Sequence, residues 1–115
     1  MGEDFSPQER IRKKKDFLYL YKKGTRYRGK YFILIYLSNE FAHSRVAVVA
    51  SKKLGNAVQR NRIRRRFRTL FRRNKTLLQN PLDLIIIPHR EIHGADWISL
   101  EKSFVAVLKS INQRI

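Results

Sequence analysis

The chain of 115 residues contains no cysteine and no long apolar run. Without cysteine it can form neither a disulfide bond nor a thiolate metal site, which fits a reducing compartment. No apolar stretch approaches the roughly 20 residues that a membrane-spanning helix needs. The N-terminus opens with acidic residues and no apolar stretch follows, unlike a secretory signal. We therefore expect a cytoplasmic protein that makes no use of a membrane.

Acidic side chains are also scarce. Nine Asp and Glu residues stand against 26 Lys and Arg, which gives a formal net charge of +17 at pH 7. Self-repulsion of this size destabilises a compact state unless a dense array of negative charge neutralises it, as RNA, DNA or an anionic membrane would. Because 43% of the residues are apolar, we expect one polyanion-binding domain over residues 1–115, with residues 1–9 as a flexible N-terminal extension.

Amphipathic spacing predicts three helices. The first covers residues 13–23 and ends at Gly24. The second begins at Ala57, because Asn56 is a favourable N-cap and Gln59 occupies the capping-box position. The apolar arc of the second helix comprises Ile63, Phe67, Leu70 and Phe71. The third helix has its apolar side at Leu100, Phe104, Val107, Leu108 and Ile111.

Strands are predicted where β-branched and aromatic residues cluster. Two such runs cover residues 31–37 and 45–51, and the polar residues 38–44 between them suggest a hairpin loop. A short apolar run at residues 83–89 predicts a buried strand, and a further strand is placed around residues 25–27. The predicted fold class is α+β, a single-domain α/β sandwich in the order α-β-β-β-α-β-α.

Residues 51–73 contain ten Lys or Arg, and no acidic residue occurs between Glu40 and Asp83. Like charges three and four residues apart destabilise an isolated helix, so anion binding is favoured over a merely solvated face. Arginine favours phosphate because its planar fork pairs with two oxygens. Arg60 projects within the apolar arc and is predicted to need a partner. One flank carries Arg65, Arg68 and Arg72, the side opposite the apolar arc carries Arg62, Arg66 and Arg73, and Arg64 borders the arc.

The segment SKKLGNAVQRNRIRRRFR resembles the signature of the bacterial ribonuclease P protein subunit, in which a strand runs into a basic helix. RKKKDFLYLYKKGTRYRGKYFIL is similar to the N-terminal helix and following strand of that family, and DLIIIPHRE resembles its last strand. The resemblance covers about residues 10–111. It implies a left-handed β-α-β crossover through the basic helix, whereas such units are right-handed in about 98% of cases.

The resemblance implies a non-catalytic protein component of a tRNA-processing endonuclease. In the family the RNA subunit, with Mg²⁺, cleaves precursor tRNA to form the mature 5′ end. The sequence agrees, because the clustered carboxylates of a metal-dependent nuclease are absent and His43, His89 and His93 lack a metal-ligand spacing. We expect no catalytic residue and no metal or cofactor bound by the protein. The expected partners are ribonuclease P RNA and precursor tRNA, without an obligate protein partner.

Two sets of site residues follow from the resemblance. The residues implied to bind the RNA subunit are Lys52, Lys53, Asn56, Arg60, Asn61, Arg62, Arg64, Arg65 and Arg68. The groove between the sheet and the basic helix is implied to bind the single-stranded 5′ leader, with Phe17, Tyr21, Phe32 and Tyr36 as candidates for stacking on bases. Packing in the core is the alternative for Phe17 and Phe32. The strand aromatic of the family aligns with Ile35, and Tyr36 should face the opposite way.

Two other functions remain open. A small structural RNA-binding protein of ribosomal type would have the same composition, and an independent nuclease is the second alternative. Processing of precursor tRNA together with a ribonuclease P RNA would distinguish them.

Overall fold

A four-stranded sheet carries helices on both of its faces. The computed structural model describes residues 7–114. The helices are α1 (Lys14–Lys23), α2 (Ala57–Asn74) and α3 (Trp97–Arg114). The strands are β1 (Thr25–Arg28), β2 (Phe32–Ser38), β3 (Arg45–Val48) and β4 (Leu82–Pro88). The predicted class and element order are confirmed, including the short strand placed around residues 25–27.

The strand order is β1-β2-β4-β3, so β4 lies between two strands that are consecutive in sequence. β2 pairs antiparallel with β1 and β4, and β3 pairs parallel with β4. The predicted hairpin between β2 and β3 is therefore wrong, because residues 38–44 cross over β4. The hairpin of this sheet joins β1 to β2, and Gly29 N donates to Phe32 O at 2.8 Å within it. Helix α2 connects the parallel neighbours β3 and β4, and the left-handed sense of this crossover stays a prediction.

The larger core lies between the sheet and the pair α2 and α3. The ring of Phe32 on β2 meets Phe67 of α2 edge-on at 5.3 Å and Phe104 of α3 at 6.0 Å. All three rings are fully buried. Burial of this apolar surface, at about 25 cal/mol per Å², supplies the main stabilisation of the fold.

The opposite sheet face, here called the α1 face, is covered less completely. Leu20 of α1 packs with Ile35 of β2 and Ile85 of β4, and all three are buried. A single helix of 10 residues is about 15 Å long and about 10–12 Å wide, so it leaves part of the four-stranded face uncovered. The apolar residues packed there that stay half-buried are Phe17, Tyr21, Ile33, Leu37, Ala47, Val49 and Ile87.

The N-terminal segment is held at the edge of the sheet. A 3₁₀ turn covers Pro7–Glu9, and the buried Glu9 accepts from Lys75 Nζ at 2.7 Å. The flexible extension expected over residues 1–9 stays a prediction, and its last residue, Glu9, is joined to Lys75 at the end of α2 by this ion pair. The remaining residues 1–6 lie outside the described part of the chain.

Candidate nucleic-acid interface

The basic segment opens with a turn that exposes two lysines. The 3₁₀ turn Lys52–Leu54 is anchored by Leu54, which is buried in the larger core. Lys52 and Lys53 stay exposed on the same turn. Gly55 follows with a φ of 126°, a conformation that side chains with a Cβ rarely adopt. Gly55 thus connects the turn of two exposed lysines to the basic helix.

Helix α2 starts with the predicted capping box. Asn56 Oδ1 accepts from Gln59 N at 2.9 Å, and Gln59 Oε1 accepts from Asn56 N at 2.9 Å. Both donors would otherwise lack an intrahelical partner. Arg60, predicted to need a partner within the apolar arc, is half-buried and its Nε donates to Asn56 O at 3.4 Å. The partner is therefore internal, and it comes from the first turn of the same helix.

The apolar arc of α2 is buried as predicted, which leaves its arginines on the remaining sides. On one flank Arg64 Nη1 donates to Asn61 Oδ1 at 3.0 Å. A concave depression of about 380 Å³ lies on this flank. Its lining residues are Arg10, Asn61, Arg64, Arg65, Arg68, Thr69 and Arg72. Five of these seven side chains are arginines, so this flank suits an anion with several oxygens.

The crowding of cations on this flank is visible in Arg68. Partial burial, followed by the positive charges of Arg10 and Arg64, lowers the pKa of Arg68 from its ordinary value. A phosphate placed here would relieve the repulsion between these guanidinium groups. Electrostatic repulsion among these cations therefore favours phosphate binding on this flank.

Arg10 also belongs to this flank, although no sequence pattern predicts it. It forms a single parallel bridge with Val46 on the outer edge of β3, and Ile11 N donates to Val46 O at 3.1 Å. This short pairing carries the N-terminal segment past α2. A one-residue bridge has no periodicity, so sequence patterns could not reveal it.

The opposite flank of α2 uses its arginines partly within the fold. Arg66 Nη2 donates to Ala95 O at 3.1 Å. The guanidinium groups of Arg66 and Arg73 lie 6.0 and 5.7 Å from the ring centroid of Trp97 at the start of α3. Arg62, on the same side, is exposed. The predicted RNA-subunit residues are thus brought together along one turn and one helix, and Arg62 projects away from the concave flank.

Phe17 and Tyr21 lie one helical turn apart on α1, and both are half-buried on the α1 face. They pack around Ile35, which is fully buried beneath the helix. The β1 residues Arg26 and Arg28 pair with β2 residues of the same face and are exposed. This face therefore combines aromatic rings with a basic edge.

Phe32 and Tyr36 do not join Phe17 and Tyr21. Phe32 is fully buried and Tyr36 is 6% exposed, both in the core beneath α2 and α3. Because strand side chains alternate, Tyr36 faces away from Ile35, as predicted. The grouping of all four aromatics at one surface is therefore corrected: the fold places two at the α1 face and two inside the larger core.

No group of three or more His, Asp or Glu within residues 7–114 is arranged to hold a metal ion. His43 Nε2 lies 2.8 Å from Gln8 O and joins the N-terminal segment to the loop before β3. Within the same residues no helix has the length and apolar character needed to cross a membrane.

These features define a small basic α+β domain with one arginine-lined helix and one half-covered sheet face. The chain matches the ribonuclease P family over residues 5–112. The ribonuclease P protein component of Thermotoga sp. strain RQ2 is 32% identical over 115 residues, covering 96% of this chain and 98% of that protein. That of Streptococcus pneumoniae strain Hungary19A-6 is 36% identical over 100 residues, covering 87% of this chain and 81% of that protein.

Solved structures agree with the sequence comparison. The RNase P protein from Thermotoga maritima superposes with a TM-score of 0.81 at 31% identity, covering 89% of this chain and 96% of that one. The Staphylococcus aureus RNase P protein gives a TM-score of 0.81 at 35% identity, covering 90% and 94%. The chain belongs to the ribonuclease P protein component family.

Proposed function

We propose that this protein is the non-catalytic subunit of ribonuclease P and binds both the RNA subunit and the 5′ leader of precursor tRNA. The observation that carries the proposal is the arginine-lined flank of α2, which has no acidic residue within the basic segment to neutralise it. A polyanion is the partner that such a surface fits. Membership in the ribonuclease P family supports ribonuclease P RNA as that polyanion.

The RNA subunit binds to α2 and to the turn before it. Exposed Lys52 and Lys53 and the concave flank of Arg64, Arg65 and Arg68 contact phosphates. The other residues of this proposed surface are Asn56, Arg60, Asn61 and Arg62. The lining of the depression adds Arg10 and Arg72 to the set proposed from the sequence. Bidentate pairing of arginines with phosphate oxygens supplies most of the affinity. This affinity depends strongly on the salt concentration.

The 5′ leader binds on the α1 face. Half-buried Phe17 and Tyr21 stack on unpaired bases, and the exposed Arg26 and Arg28 attract the backbone. Stacking of this kind tolerates any base, which suits leaders of different sequence. Phe32 and Tyr36 support the sheet from the core and do not contact the leader.

The chemistry belongs to the RNA subunit and its Mg²⁺ ions, and the protein contributes binding and positioning. The protein itself holds no cofactor in this proposal, acts in the cytoplasm and needs no protein partner. Scattered acidic residues in the sequence support this division, because metal-dependent nucleases cluster their carboxylates around the ions.

Reconstitution tests the proposal. The protein is mixed with a bacterial ribonuclease P RNA and precursor tRNA at low Mg²⁺, beside each component alone. We expect 5′ processing by the mixture and none by either component under these conditions. A mixture without stimulation would leave the structural RNA-binding protein as the better account, and cleavage by the protein alone would indicate an independent nuclease.

A further inference from the structure

Phe41 is an exposed aromatic residue in the loop between β2 and β3. Its side chain is 51% exposed. The Cζ atom of Arg45 lies 4.4 Å from the ring centroid, which places a guanidinium over the ring, and the His43 ring lies 6.3 Å away at 31°. A single exposed ring is unremarkable by itself. What distinguishes Phe41 is how firmly its neighbours fix it.

One carboxylate holds both the loop that carries Phe41 and the cation beside its ring. Asp83 accepts from Arg45 Nε at 2.8 Å and from Arg45 Nη2 at 2.6 Å. Asn39 Nδ2 donates to the same Asp83 Oδ1 at 2.9 Å, and Asn39 Oδ1 accepts from Phe41 N at 2.9 Å. Because these bonds order the ring before any ligand arrives, stacking on it would cost little conformational entropy.

The surroundings of Phe41 are basic and concave. A depression of about 360 Å³ is lined by Phe41 and by cations from the segment that enters α1. Arg12, Lys13 and Lys15 line it and are exposed. Asp16 also lines it, and its carboxylate faces Arg45 Nη1 at 3.5 Å. An aromatic ring among exposed cations is the arrangement that binds single-stranded nucleic acid.

The depression continues the α1 face. Arg45 lies two residues before Ala47 on β3, and side chains two apart share a sheet face. In the parallel register Arg45 pairs with Asp83, and Ala47 pairs with Ile85. The Arg45 position is therefore about 7 Å along the strand from Ala47, on the face that also carries Phe17 and Tyr21.

We propose that Phe41 stacks on an unpaired nucleobase of the 5′ leader and extends the leader-binding surface beyond Phe17 and Tyr21. The flanking phosphates contact Arg12, Lys13 and Lys15. The inference rests on the proposed function. The leader is favoured over the RNA subunit because Phe41 shares the α1 face, whereas the basic signature lies on α2.

The test is an abasic scan of the leader in the reconstituted holoenzyme. Single abasic nucleotides are placed along a leader of about 16 nucleotides, the upper site size of a single-strand-binding fold. With the parent protein, removal of the base that meets Phe41 should weaken binding by about five-fold or more. With Phe41→Ala the same abasic position should cause no further loss. Phe41→Tyr should restore the penalty, and Phe41→Leu, which keeps apolar cover on Arg45, should not.

Identical abasic profiles for the parent and Phe41→Ala would overturn the inference. The inference would also be overturned if Phe41→Ala weakened binding to the RNA subunit, measured without substrate, as much as it weakened binding to precursor tRNA. Tyr21→Ala is scanned in parallel. If Tyr21→Ala removes the affinity penalty of one abasic position and Phe41→Ala removes none, only the Phe41 inference fails. If neither variant alters the response to any leader base, leader binding by the α1 face fails as well.

Discussion

At the scale of single residues, Asp83 is one of the few acidic side chains, and it forms an ion pair with Arg45. Its carboxylate accepts two hydrogen bonds from Arg45 and one from Asn39. The hydrogen bond with Asp83 raises the pKa of Arg45, although partial burial opposes the shift. Both side chains are only 13% exposed. Because water reaches each charge poorly, each is stabilised mainly by the other. The ion pair joins the start of β3 to the start of β4, next to the loop that carries Phe41.

We expect Asp83→Asn to lower the free energy of unfolding by roughly 1.5–3 kcal/mol, the range for hydrogen bonds to charged groups. Urea unfolding measures this. Glu40→Gln is the matched control, because it removes the same charge from an exposed position in the neighbouring loop. Equal losses in both variants would mean that net charge, and not the Arg45 pair, is responsible.

Arg62 and Arg65 are the best residues for testing phosphate contact by substitution, because both side chains are exposed on α2. Each change to Ala should weaken binding to the RNA subunit and lower the slope of log affinity against log salt by about 0.7–0.9 per lost contact. Lys109→Ala, on the exposed side of α3, removes one charge elsewhere. If Lys109→Ala lowers the slope as much, binding is diffuse and not located on α2.

Sequence patterns predicted the start and the apolar arc of α2 correctly but could not assign the aromatics of β2. Apolar residues occupy consecutive positions of β2, so the sequence pattern indicates no preferred side. The grouping of Phe32 and Tyr36 with Phe17 and Tyr21 rests on the family resemblance. The positions of all three helices on the two sheet faces decide which of these rings remain accessible.

At the scale of elements, the start of α2 was predictable and the pairing of the strands was not. The capping box is a local signal between Asn56 and Gln59. The choice of strand partners is non-local, because β4 follows β3 by more than thirty residues and still inserts between β3 and β2. The polar loop at residues 38–44 indicates a turn but not which strands it connects.

Gly55 should be required for this start of α2. Its φ of 126° favours glycine, and a Cβ added there would overlap the Gln59 side chain that closes the capping box. We expect Gly55→Ala to lower the free energy of unfolding by about 1–3 kcal/mol. Gly94→Ala is the control, because a Cβ there meets nothing within 4 Å. Comparable losses at both glycines would contradict a specific role for the turn.

At the scale of the whole molecule, the dominant feature is the net charge of +17 within extents of 35 × 29 × 27 Å. At about 10 mM salt the Debye length is about 30 Å, so every cation acts across the entire protein. At physiological ionic strength it falls to about 8 Å. The compact state therefore carries a repulsion that salt, or a bound polyanion, relieves.

The thermal unfolding midpoint should consequently rise between about 10 mM and about 150 mM NaCl, over which the Debye length falls almost four-fold. The free protein is measured without RNA at constant pH. A midpoint that falls with salt would show that attractive ion pairs such as Lys75 with Glu9 outweigh the repulsion. That result would contradict the view that the free protein is electrostatically strained.

The central claim is that α2 binds the RNA subunit while the α1 face binds the leader, and Tyr21 tests it most directly. The measurement is the ratio of holoenzyme affinities for precursor tRNA with and without a leader. Tyr21→Ala should lower this ratio by about five-fold or more, because a base loses its stacking partner, and should leave assembly and its salt dependence unchanged. Tyr19→Ala, 59% exposed on the same helix, should keep the parent ratio. An unchanged ratio for Tyr21→Ala, or an equal fall for Tyr19→Ala, would contradict the account.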